Sequence, residues 1–120
     1  MGFDKNLWDL VQSNFAVTSE VSYTSLPGHT PGHVGVHIES RNERATIIGN
    51  AMHYLAQLDH PDWSPTWDYD QVGAAEVRRL LFEDMSSDLS FRIIAGHWPY
   101  RGVGRIVRRK GSRFDFVPSQ

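Results

Sequence analysis

Hydrophobic and polar positions along this chain change period several times, and each change marks an element. Phe3, Leu7, Leu10 and Val11 fall on one face at helical spacing, with Asp4 as an acceptable cap, which predicts a short helix over residues 3–14 with Trp8 beside its stripe. Residues 15–26 alternate poorly and read as a β segment. Val34, Val36 and Ile38 alternate with Gly35, His37 and Glu39, the pattern of a half-buried strand with His37 on its more polar face. Residues 40–44, S-R-N-E-R, predict a polar hairpin turn, and Ala45–Gly49 a short apolar strand. Residues 55–70 show no period and read as a long loop. Ala74, Val77, Leu80, Leu81 and Met85 form one stripe of a helix over 71–85, with Glu76, Arg78, Arg79 and Glu83 placed on or near the other face. Asp70 or Asp68 caps it and Ser86-Ser87 ends it. Residues 90–95 read as a buried strand. Residues 103–109 and 113–117 form a final hairpin around Lys110-Gly111-Ser112.

At 120 residues and 40% hydrophobic composition, the chain forms one domain with a packed core. A net charge of −2 points away from nucleic acid. Arg101, Arg105, Arg108, Arg109, Lys110 and Arg113 concentrate in the last hairpin, where charges on an edge strand guard against pairing with other chains. There are no cysteines, which removes disulfides, thiolate metal sites and cysteine nucleophiles. No apolar run is long enough to span a membrane, and the first residues lack the apolar core of a signal peptide, so the expected location is cytoplasmic.

The candidate chemistry gathers where predicted strands end. Leu26–His37, L-P-G-H-T-P-G-H-V-G-V-H, holds three of the six histidines. Two Pro-Gly pairs fix a tight, irregular loop there, each followed directly by an imidazole. A metal site needs imidazoles held in advance, although a plain turn with surface histidines accounts for the spacing equally well. Gly49-Asn50 and Gly96-His97 repeat the pattern of a glycine and a polar residue at the end of a buried strand. Asn50 is equally compatible with a turn or cap. His60 with Asp59 and Asp62 reads as a solvated turn around Pro61. Trp63, Trp67 and Tyr69 either line a pocket or pin the 55–70 loop to the core.

In this order and at these distances, P-G-H-T-P-G-H-V-G-V-H-I-E-S, G-N at 49–50 and G-H-W-P-Y-R-G-V-G-R-I from Gly96 resemble the second half of a metallo-β-lactamase-fold hydrolase of the lactonase and organophosphate-hydrolase-like kind. The likeness runs from about residue 20 to Pro118. It implies an α/β fold, the C-terminal half of an αββα sandwich, and a single partial domain over 1–120. It further implies hydrolysis of a lactone, ester or phosphotriester by a metal-activated water, with zinc or another divalent metal as cofactor. By the family pattern His29 and His97 are metal ligands, and Asn50 stands where an aspartate bridges two metals. His53 stands where related lactonases place a tyrosine that polarises the substrate carbonyl. Trp98, Tyr100 and Trp63 border the substrate pocket.

Two departures matter. The H-x-H-x-D-H motif, which supplies most of the family's ligands, does not occur in these residues. Asn50 offers one neutral oxygen where a carboxylate would offer two charged ones. The isolated chain is therefore expected to be inactive or nearly so, holding metal weakly or not at all. The rival reading is a non-catalytic binding or assembly module. A lone half also leaves one sheet face uncovered, so the chain is expected to pair with a second copy or with a chain carrying the complementary N-terminal half, or to repack its N-terminal helix over the gap, besides binding a small-molecule substrate.

Overall fold

The computed structural model describes residues 9–98, 102–111 and 113–119. Six strands form one sheet in simple sequence order: β1 Val21–Ser25, β2 Val34–Ser40, β3 Glu43–Ile47, β4 Phe91–Ile94, β5 Val103–Arg108 and β6 Phe114–Pro118. Neighbours run antiparallel except β3 and β4, which are parallel. A parallel pair needs a crossover. Here helix α1, Gln71–Ser86, supplies it, and the helix lies against β4 and β5.

The α1 cap is now decided. Asp70 accepts the Gly73 backbone N–H at 2.9 Å, leaving Asp68 for another purpose. The helix buries Ala74, Ala75, Arg78, Leu81, Phe82 and Met85. The expected stripe therefore needs correction at two positions. Leu80 is 60% exposed, and Arg78 has no exposed surface. Phe82, Met85 and Leu81 meet Phe91, Ile93, Ile106 and Phe114 in the main core.

Among the described residues the opposite face of the sheet carries no helix. The strand registers align Tyr23, Val36, Ile47, Ile94 and Val103 in one row across five strands on this face. Ile47 and Val103 keep more than a third of their surface exposed. The row is an apolar stripe of the kind expected of a sheet made to be covered.

The β2–β3 connection is the expected polar turn, tightened to two residues. Arg41 and Asn42 have φ of 52° and 63°, the two left-handed residues of a type I′ hairpin turn. The first β segment is shorter than the sequence suggests. Thr18 Oγ1 accepts the backbone N–H groups of Glu20 and Val21, and the chain doubles back so that Tyr23 N–H reaches Phe15 O at 2.9 Å. The helix expected over residues 3–14 is not formed over Asp9–Asn14, and residues 3–8, including Trp8, lie outside the described residues. Leu10 is 94% exposed and Val11 keeps more than a third of its surface exposed, and a helix this short does not stand without packing. Among the described residues no helix is long and apolar enough to cross a membrane.

Candidate functional site

The first Pro-Gly pair is locked by packing. Gly28 has φ of 140°, and a Cβ there would lie 2.5 Å from Ala74 Cα in the first turns of α1. Only glycine allows the loop to approach the helix this closely. Two backbone bonds then zip the loop to the end of the 55–70 segment: Tyr69 N–H donates to His29 O at 3.1 Å, and Asp70 N–H to Gly28 O at 2.8 Å. His29 is thereby held beside Asp68, and its Nδ1 lies 2.9 Å from Asp68 Oδ1.

His33 is held at both ring nitrogens. A backbone carbonyl only accepts and a backbone N–H only donates. Nδ1 therefore donates to Leu26 O at 2.8 Å, and Nε2 accepts from Asn50 N–H at 2.9 Å. Gly49, at φ 56°, keeps this contact open, since a Cβ would lie 2.8 Å from His33 Nε2. His33 thus ties the histidine loop to the end of β3. His37 sits away from this cluster, bonded to Thr46 Oγ1 at 2.9 Å and to Glu39 at 3.3 Å.

The end of β3 sets Asn50 and His53, and the end of β4 sets His97. Asn50 Oδ1 lies 2.5 Å from His97 Nε2, and because the amide oxygen only accepts, the imidazole donates. The His53 ring stacks on His97 with centroids 4.9 Å apart, and its centroid lies 5.5 Å from that of His29 and 5.9 Å from that of Trp67, which it meets edge-on. His53 Nδ1 is buried and finds no partner among the described residues. Burial, and after it the neighbouring His97, lowers the His53 pKa from its ordinary 6.5, with Asp68 acting in the opposite direction. The sequence-predicted His29, Asn50, His53 and His97 are thus brought together from three separate segments.

The aromatic candidates are distributed differently. Trp98 is buried, packed edge-on against Phe116 at 4.8 Å, with its Nε1 unpartnered among the described residues. Trp63 stacks flat on His60 at 3.8 Å, and Trp67 is the tryptophan that meets His53. Tyr100 lies outside the described residues.

Three supporting residues escaped the sequence reading. Gln57, fully buried, accepts the backbone N–H groups of His53 and Tyr54 at 2.7 and 3.1 Å and donates to Trp63 O at 2.8 Å. Asp68 has no exposed side-chain surface and lies 3.7 Å from Arg78 Nη1, an ion pair in the interior. Arg78 also donates to Pro61 O at 2.8 Å, Ala51 O at 3.2 Å and Ser64 Oγ at 2.5 Å. Burial lowers the guanidinium pKa and Asp68 acts against that shift. A signal for Arg78 was present: it is the one charge in the i, i+4, i+7, i+11 series Ala74, Arg78, Leu81, Met85. No comparable signal marked Asp68 among the four aspartates of its loop.

The chain's architecture matches solved hydrolases over a limited share of their length. The hydrolase AbOPH of the β-lactamase superfamily superposes with a TM-score of 0.78 at 26% identity, over 86% of this chain and 35% of that one. AidC, a dizinc quorum-quenching lactonase in complex with a product, gives 0.82 at 25% identity, over 93% of this chain and 38% of that one. This chain has a partial metallo-β-lactamase fold. A probable metal-dependent hydrolase from Staphylococcus aureus, at 16% identity, shares the same partial fold with a TM-score of 0.76 over 97% of this chain and 41% of its own. The chain therefore spans well under half the length of each of these metallo-β-lactamase-fold proteins. No family model and no curated protein sequence matches it.

The donors present do not by themselves fit a metal pair of the kind AidC's description gives. Among the described residues no group of three or more histidine, cysteine, aspartate or glutamate side chains is set to hold a metal ion. Asn50 supplies a neutral oxygen that His97 already engages, and both nitrogens of His33 are committed to the backbone.

Proposed function

We propose that this chain is one part of a metallo-β-lactamase-superfamily hydrolase, and that His29, Asn50, His53 and His97 are its share of the hydrolytic site. One observation carries the reading: these side chains converge at one end of the sheet from three segments, with His29 bonded to Asp68, the Asn50 and His53 backbone held by His33 and Gln57, and His97 bonded to Asn50 and stacked on His53. AbOPH, described as a hydrolase, and AidC, described as a lactonase, support hydrolysis as the reaction class, with a lactone, ester or phosphotriester as the substrate that the sequence resemblance implies. Within this reading His53 is a hydrogen-bond donor to the substrate carbonyl, and Trp98, Tyr100 and Trp63 border the substrate. His29, Asn50 and His97 are ligand positions that need further donors from polypeptide beyond the described residues. The apolar row from Tyr23 to Val103 supports a covering layer, either a complementary chain or a second copy.

A second reading, a non-catalytic binding or assembly module, is favoured by a specific observation. The Asn50–His97 bond closes on itself a pair that would otherwise face a ligand. Asn50→Asp separates the two. The variant is mixed with a polypeptide carrying H-x-H-x-D-H and zinc, and native mass spectrometry is combined with hydrolysis of an N-acyl-homoserine lactone and a phosphotriester. The hydrolase reading expects zinc-bearing complexes and hydrolysis from Asn50→Asp, and neither from the isolated chain. A zinc-bearing complex that hydrolyses none of these substrates refutes it in favour of the module.

A further inference from the structure

The 55–70 loop carries a buried charge that no ligand role explains. Asp68 has no exposed side-chain surface, yet it is not the α1 cap, and among the described residues it is not part of a group set to hold a metal. Its two oxygens are divided between two elements. Oδ1 lies 2.9 Å from His29 Nδ1, and Oδ2 lies on the side of Arg78 Nη1, 3.7 Å away. Arg78, itself without exposed surface, is clamped by Pro61, Ser64 and Ala51, so the counter-charge cannot swing away. The loop is also tied to the histidine loop by Tyr69 N–H to His29 O and Asp70 N–H to Gly28 O, the two residues that follow Asp68.

We infer that Asp68, with Arg78 as its fixed counter-charge, is a positioning residue that holds His29 as its Nδ1–H tautomer and so leaves the Nε2 lone pair free for the site. A carboxylate oxygen accepts, so the facing ring nitrogen must donate. A neutral imidazole carries one N–H, and placing it on Nδ1 leaves Nε2 bare, on the side of the ring away from Asp68. The same bond fixes the ring's rotation, which the flanking glycines and prolines alone do not. The chain therefore builds a histidine with an available ring nitrogen from a loop that contributes no ligand itself. The value of that nitrogen to catalysis rests on the hydrolase reading, whereas its tautomer does not.

The experiment is long-range ¹H–¹⁵N correlation of the histidine rings in the full chain, without metal or substrate, at about pH 8, where an ordinary imidazole is neutral. His33 is the internal control, because Leu26 O and Asn50 N–H set its tautomer independently of Asp68. Wild type is expected to show both His29 and His33 as Nδ1–H. In Asp68→Ala, and in the isosteric Asp68→Asn, His29 is expected to move to mostly Nε2–H while His33 keeps its signal. Arg78→Lys, which retains the charge, is expected to keep His29 as Nδ1–H. An Nε2–H signal for His29 in wild type overturns the inference. So does an unchanged Nδ1–H signal in both Asp68 variants alongside an unchanged His33. The hydrolase reading fails by a different result, the absence of hydrolysis in the complemented Asn50→Asp complex, and neither failure produces the other.

Discussion

Replacing Arg78 with methionine keeps the aliphatic stem that fills the helix–sheet interface and removes the guanidinium. Asp68 is then left without exposed surface and without its cation, since the ion pair at 3.7 Å is gone. Breaking a buried pair from one side costs about 3–5 kcal/mol. Three hydrogen bonds are lost as well, to Pro61 O, Ala51 O and Ser64 Oγ. Ser64 and Pro61 lie where water can reach them, whereas Ala51 is buried, and an unsatisfied buried carbonyl costs about 1–3 kcal/mol. Against these, the chain no longer desolvates a guanidinium. The expected net loss is about 4 kcal/mol, a quarter or more of the roughly 5–15 kcal/mol that holds a domain together. At this size it lowers Tm by roughly 10–20 °C. Thermal unfolding followed by far-ultraviolet circular dichroism, with urea midpoints at fixed temperature, reads the change directly. The pair Arg78→Met with Asp68→Asn tests the cause, because removing both charges must cost less than the sum of the single changes. A loss under about 1 kcal/mol for Arg78→Met, or additive single and double variants, refutes the reasoning.

Gly28→Ala places a methyl 2.5 Å from Ala74 Cα at a φ of 140°, and is expected to destabilise by more than about 1 kcal/mol and to break the Asp70–Gly28 backbone bond, seen as faster amide exchange at Asp70. His53 has its pKa lowered in the fold, so below about pH 6.5 the unfolded chain takes up a proton there that the folded chain resists. That contribution to stability is whole above pH 6.5 and is lost as pH falls toward the folded value. His53→Gln is accordingly expected to lose less Tm between about pH 7 and pH 5 than wild type. The β2–β3 turn holds Arg41 at φ 52°, where a residue with a side chain is strained, and Arg41→Asn with Asn42→Gly is expected to raise stability by about 1 kcal/mol in urea unfolding.

Much of the fold was legible because strand periodicity and turn chemistry act locally. The β2 alternation, the S-R-N-E-R turn and the α1 limits all follow from neighbours within a few residues. The stripe of α1 misled at Arg78 because hydrophobicity alone cannot register that a charge has four partners waiting, Asp68 and Ala51 buried and Pro61 and Ser64 partly so. The helix expected at the start failed over Asp9–Asn14 for the converse reason: Leu10 and Val11 stay largely exposed there. In the histidine cluster, the Gly-His and Gly-Asn strand ends stood out in the sequence while plain turns and caps explained them as well, whereas Gln57 and Asp68 looked like ordinary polar loop residues until the loop was folded against α1.

The sequence by itself determined the order of the strands and of α1, and the rigid Pro-Gly frame of the histidine loop. Each is a property of residue types and short spacings, which the covalent chain carries unaided. Only the tertiary structure decided that Asp68 faces His29, that Arg78 turns inward to meet it, and that His97 donates to Asn50. Those contacts join residues 10 to 47 positions apart, and their geometry exists only after the sheet has brought its strand ends to one edge and α1 has closed over them.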